Sequence, residues 1–160
     1  MTLIKDRAIA PDPWRHADAD GPLPEGDVIV PLRRFVAERE ALFGRPGRIG
    51  VRLEPDDDPQ TLAADLDRLA VVALAFPKFT DGRAYSHARI LRERLGFAGE
   101  IRAVGDVLRD QLLPMARCGF DAFELRADKD AHDALIAFEE FSVFFQPATA
   151  DPVASKRASA

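Results

Sequence analysis

Cysteine, lysine and long apolar runs are scarce in this chain, and each scarcity removes a class of protein. The single cysteine, Cys118, cannot close an intramolecular disulfide, so the fold must rely on packing, and a reducing, cytoplasmic compartment is expected. No stretch approaches the roughly 18 consecutive apolar residues of a membrane span. The opening Met1-Thr2-Leu3-Ile4-Lys5-Asp6 also lacks an apolar signal region, so neither membrane insertion nor secretion is expected. Only four of the 22 basic residues are lysines, which makes the cationic chemistry that of the planar guanidinium fork. The net charge is −5, with one tryptophan and one tyrosine, and no basic aromatic stripe of the kind that binds nucleic acid is present.

What is present is enough apolar residue for one core. The chain has 160 residues, 47% hydrophobic and 31% charged, which suits a single domain. Charge is placed unevenly: residues 78–117 hold eight cations against five carboxylates, and the rest of the chain holds 14 against 22. An acidic protein thus gathers positive charge in one segment, as it would to receive an anion.

Residues 1–26 carry Pro11, Pro13, Pro22 and Pro24 and read as an irregular N-terminal segment, with a short edge strand over 3–10 and Trp14 pinning it to the core. From Asp27, β-branched runs alternate with helical patterns, which predicts one α/β domain over 27–146. Val28-Ile29-Val30 precedes a helix that has Pro31 in its first turn and ends at Gly44. Strand 49–53 precedes a helix capped by Asp58, with Leu62, Leu66 and Leu69 as its stripe. The continuous apolar run 70–76 predicts a strand covered on both faces. A helix with Ala84, Ala88, Leu91 and Leu95 inward follows, then strands at 101–104 and 120–125, then a helix from about Asp130. Residues 147–160 read as a mobile tail. About five βα units predict a mainly parallel open sheet with helices on both faces. A partial β/α barrel is the alternative, suggested by the cadence of Ile101-Arg-Ala-Val-Gly-Asp and Gly119-Phe-Asp-Ala-Phe-Glu.

Ligands gather at the carboxyl ends of parallel strands, and two loops there are polar. In the first, Thr80 or Asp81 can cap a helix, Gly82 permits close backbone approach, and Arg83 offers a fork for an oxyanion, with Ser86 in the first turn. The same residues also serve as an ordinary capped helix start with a surface arginine. In the second loop, Pro114 is tolerated only near a helix start, so residues 105–110 form a loop that projects Asp106 and Arg109 beside Gly105. An intraloop Asp106–Arg109 pair is the plainer reading. If the loops share a crevice, Arg83 and Arg109 bind an anion while Asp81 or Asp106 orients them or moves a proton. Arg89, Arg102 and Arg117 are expected to be solvated or paired.

Sharper motifs fail. The glycines of Gly44-Arg-Pro-Gly-Arg-Ile-Gly50 follow a helix and precede a strand, the reverse of a phosphate loop. His16, His87 and His132 are far apart and no cysteine pair accompanies them, so no metal site is assigned. Acidic Asp56-Asp57-Asp58 suits a helix N-terminus. Ser86 lacks a nucleophile elbow, and Cys118 reads as a small buried hydrophobe. Phe138, Phe141, Phe144 and Phe145 are core candidates; Phe144 or Phe145, if surplus to the core, would mark a homodimer or partner surface.

Two stretches, Phe76-Pro-Lys-Phe-Thr-Asp-Gly-Arg-Ala-Tyr-Ser86 and Gly99-Glu-Ile-Arg-Ala-Val-Gly-Asp-Val-Leu-Arg-Asp-Gln111, together with Arg117-Cys-Gly-Phe-Asp121, resemble a bacterial family of unknown function. Its members commonly carry an oxidoreductase label and tend to be encoded beside assimilatory sulfite reductase. The resemblance implies an accessory protein of sulfite reduction and sulfur assimilation, with sulfite reductase or another protein of that pathway as partner and a small anion in the crevice. The alternative is a small oxidoreductase-like enzyme using the Asp and Arg loop residues on an anionic sulfur substrate. No flavin or nicotinamide fingerprint accompanies it, so the cofactor is unassigned.

Overall fold

The computed structural model describes residues 1–126 and 130–141. Its strands are β1 (Thr2–Lys5), β2 (Ala8–Ala10), β3 (Arg15–His16), β4 (Val28–Pro31), β5 (Ile49–Leu53), β6 (Val71–Phe76), β7 (Glu100–Gly105) and β8 (Ala122–Leu125). The helices are α1 (Leu32–Gly44), α2 (Arg83–Arg89), α3 (Leu112–Cys118) and α4 (Ala131–Phe141). All eight strands form one sheet in the order β2-β1-β8-β7-β6-β5-β4-β3. The run from β3 to β8 is parallel, and β1 pairs antiparallel with β8 and β2.

This is the mainly parallel α/β sheet that the alternation predicts, and of the two layouts it adopts the partial barrel. Strands β4 to β8 neighbour one another in chain order, and right-handed crossovers that all step in one direction deposit every helix on the same face. Helical residues Phe35, Leu42, Ala84, Ala88, Leu112, Met115, Ala134 and Phe138 accordingly share a single core cluster with Val30, Val51, Leu74 and Phe123. The sheet curls around its other face. His16 on β3 lies 2.8 Å from Glu124 on β8, although five strand spacings would separate them by ~24 Å in a flat sheet.

Residues 11–14 cross that inner face, from β2 at one edge to β3 at the other. Trp14 packs there in a second cluster with Ile29, Val71, Ala73, Ala75 and Val104. The alternation along β6 makes room for it: Val72, Leu74 and Phe76 point to the helices, and small Ala73 and Ala75 point inward. β1 is an interior strand, and the edge is formed by β2. The turn between them places Asp6 and Arg7 at φ 51° and 62°, the left-handed pair that matches hairpin twist.

Two helical predictions are refined. The stripe Leu62, Leu66, Leu69 is buried by two 3₁₀ turns, Pro59–Leu62 and Leu66–Arg68, because its three- and four-residue spacing is served by short tight turns as well as by a helix. Asp58 does cap the first, accepting from the Gln60 N–H at 2.9 Å. After β7 a 3₁₀ turn (Arg109–Gln111) precedes α3, so Pro114 is the third residue of its helix, where a missing N–H costs nothing. Phe138 is buried in the core; Phe144, Phe145 and the Phe141 side chain lie outside the described residues.

The arginine excess has a structural use. Arg34 donates to the carbonyls of Asp18 and Gly21 at 2.8 and 2.6 Å, and Arg45 to those of Gly26 and Pro24 at 2.8 and 2.6 Å. Arg92 holds three, those of Gly119, Phe97 and Gly99, at 3.0, 2.8 and 2.6 Å. A planar fork satisfies several fixed carbonyls at once, which an ammonium does with less geometric definition. These residues tie irregular segments to the sheet.

Candidate functional site

The parallel strands bring the loops after β5, β6, β7 and β8 to one edge, and the two polar loops meet there. Asp106 Oδ2 accepts the Phe79 N–H at 3.1 Å, and Gln111 donates to the Phe79 carbonyl at 2.7 Å. Gly105 ends β7 at φ +95°, and a Cβ there would lie 2.5 Å from the Phe76 carbonyl oxygen; the residue is glycine because the chain turns against its neighbouring strand.

Arg83 donates to Asp81 from Nε at 3.0 Å and Nη2 at 2.7 Å, and also to Asp56 in the loop after β5. Arg109 reaches Asp133 on α4 at 3.0 Å, and Asp106 lies 3.9 Å from Arg126. The arginines therefore hold carboxylates from different elements. Gly82 occupies the position before α2, while Asp81 accepts the Arg83 N–H at 3.1 Å. Thr80 and Ser86 are exposed on either side.

Hydrogen bonds from the Arg83 side chain and backbone hold the Asp81 carboxyl well below the usual range, at about 2, and Asp81 in turn raises the pKa of Arg83. Burial pushes the imidazole of His87, one turn into α2, downward. Asp81 is thus ionised at neutral pH and a weak base, suited to orienting Arg83. Asp106 fixes a backbone amide of the opposite loop.

The charge of this edge differs from that of segment 78–117. Among the described residues it carries Asp56, Asp57, Asp58, Asp81, Asp106, Asp110, Asp130 and Asp133 against Lys78, Arg83, Arg109 and Arg126. Carboxylates outnumber cations two to one because five of the eight, Asp56, Asp57, Asp58, Asp130 and Asp133, come from outside that segment, while Arg92 is occupied with carbonyls and Arg102 lies on the inner face.

Arg102 anchors a second cluster, outside the residues that the sequence reading selected. It is 1% exposed and donates to Glu100 at 2.7 Å and to both oxygens of Asp12 at 3.1 and 3.0 Å, with Glu124 at 3.4 Å. Lys5 joins Glu100 at 2.9 Å. Arg52 lies 3.3 Å from His16 Nδ1; since a guanidinium can only donate, Nδ1 accepts, and Nε2–H donates to Glu124. Of the two expectations for Arg102, pairing holds and solvation does not, because the curled sheet and the crossing segment cover it. The available signal was the pair of charges at alternate positions of β7, Glu100 and Arg102, within an apolar strand.

Burial works to raise the Glu124 pKa, but the His16 hydrogen bond and the Arg102 charge outweigh it and lower it. A lowered carboxyl pKa contributes stability that is complete above the unfolded value of about 4.3 and is lost as pH falls through the folded value. The stability gap between the protein and Glu124→Gln, measured by urea unfolding, is therefore expected to be widest near pH 7 and to narrow toward pH 3; a gap unchanged over that range would contradict this assignment.

A family model for bacterial proteins of unknown function, DUF934, matches residues 50–155. The chain belongs to this family. The matched span includes both polar loops and the inner-face residues Arg52, Glu100, Arg102 and Glu124. No curated protein matches the chain. Among the described residues, no helix is long and apolar enough to cross a membrane, and no group of three or more His, Cys, Asp or Glu is placed to hold a metal ion.

Proposed function

We propose that this DUF934 protein is an accessory protein of sulfite reduction and sulfur assimilation that acts by binding a protein partner at the carboxyl edge of its sheet. The tie to sulfur chemistry rests on the family resemblance. The choice of binding over catalysis rests on one observation: both candidate acid–base residues are committed to holding the edge in shape, Asp81 to Arg83 and Asp106 to the Phe79 amide. A small anion entering between Arg83 and Arg109 would have to displace carboxylates that already hold them, which favours a protein over sulfite or sulfate as the ligand.

The test is affinity capture of the full chain in its native host, combined with calorimetry against sulfite and sulfate. Recovery of sulfite reductase or another sulfur-assimilation protein is expected, with no anion binding tighter than millimolar. Capture that recovers no such protein would overturn the proposal. Submicromolar sulfite binding together with a bound chromophore would favour a small oxidoreductase acting on an anionic sulfur substrate.

A further inference from the structure

Resting on the accessory reading, we infer that Phe79 is the anchor of the docking surface, and that its partner presents an apolar socket rimmed by lysine or arginine. Phe79 is 48% exposed, and the other large exposed hydrophobics among the described residues, Met1, Ile9, Val36 and Ile136, carry no ring. The ring is carried on a fixed backbone: its own N–H is held by Asp106 and its own carbonyl by Gln111, both from the neighbouring loop. Nothing in core packing requires such bracing of an exposed tip. A rigid aromatic loses little conformational freedom on binding, which is what makes aromatic residues effective interface anchors.

The surroundings select the partner's charge. Arg83 is neutralised by Asp81 and Asp56, and Arg109 by Asp133. Asp57, Asp58 and Asp110 join no ion pair among the described residues. An edge with twice as many carboxylates as cations repels an acidic face and steers a basic one. The surplus of cations in segment 78–117 does not reverse this, since Arg92 is held by the carbonyls of Phe97, Gly99 and Gly119 and Arg102 is buried on the inner face.

The test places the photo-reactive phenylalanine analogue p-benzoylphenylalanine at position 79 of the full chain, expressed in its bacterial host, and identifies cross-linked peptides by mass spectrometry. The expected result is an adduct with a protein segment rich in lysine or arginine, with yield falling at least severalfold in an Asp57→Asn/Asp110→Asn background and at raised salt. No adduct at position 79, an adduct with an acidic segment, a lipid or an RNA, or a yield insensitive to both aspartates and salt would overturn the inference. The two readings fail separately. A basic partner unconnected with sulfur assimilation sinks the accessory role and leaves the docking surface standing. A sulfur-assimilation protein captured equally well by Phe79→Ala sinks the docking surface alone. Because the ring is exposed, Phe79→Ala is expected to leave the melting temperature unchanged.

Discussion

Replacing Arg102 by methionine is expected to lower the unfolding free energy by about 3–5 kcal/mol, the usual cost of removing one partner from a buried ionic cluster. Three carboxylates converge on this guanidinium, those of Glu100, Asp12 and Glu124. Without it the buried Glu100 and Glu124 lose their shared countercharge and keep only Lys5 and His16, while the more exposed Asp12 turns to water. Burial disfavours the Arg102 charge, but the carboxylates of Glu100, Asp12 and Glu124 outweigh it and raise its pKa, so Arg102 stays charged at any pH the fold survives. A midpoint lower by about 10 °C is expected for a domain of this size. The double variant Arg102→Met/Glu100→Gln is expected to recover part of the loss, because the penalty comes from uncompensated negative charge. A single variant as stable as the parent in urea would show that the cluster is hydrated and contributes nothing.

Trp14→Ala is expected to cost a similar amount, about 3–5 kcal/mol, by a different mechanism. The indole is 6% exposed and fills the concave side of the sheet against residues too small to close over the gap, Ala73 and Ala75. Arg48 stacks over its ring at 4.9 Å. Its removal leaves a cavity beneath the segment that spans the two sheet edges, so the loss is expected in both equilibrium unfolding and resistance of residues 11–26 to proteolysis. Trp14→Phe, which keeps a flat ring in the slot, is expected to retain most of the stability. Unfolding curves that coincide for the alanine variant and the parent would mean that the inner face closes without the indole.

The two variants differ in how visible their basis is in the chain itself. Trp14 stands out in the sequence as a lone large aromatic in a proline-broken segment, and a pinning role follows from that alone. The role of Arg102 does not. Its partners lie 90 residues away at Asp12 and 22 away at Glu124, and only the crossing of residues 11–14 over the inner face and the pairing of β7 with β8 bring them within contact. The candidate site divides in the same way. The loops 77–83 and 105–110 were legible, because Pro114 limits where α3 can begin. The distant carboxylates were not: besides Asp81 in its own loop Arg83 reaches Asp56, and Arg109 takes Asp133 in place of the expected Asp106, on elements that no local pattern connects to them.

Local sterics and periodicity are properties of a few neighbouring residues, so the sequence by itself determined that the run 70–76 holds a buried strand, that α3 starts just before Pro114, and that strands alternate with helical segments. Strand curvature, and with it the sign of the charge at each surface, is a sum over the whole sheet. The tertiary structure therefore decided that Arg92 of the arginine-rich segment goes to carbonyls and Arg102 to a buried cluster, leaving the loop edge acidic around an exposed phenylalanine.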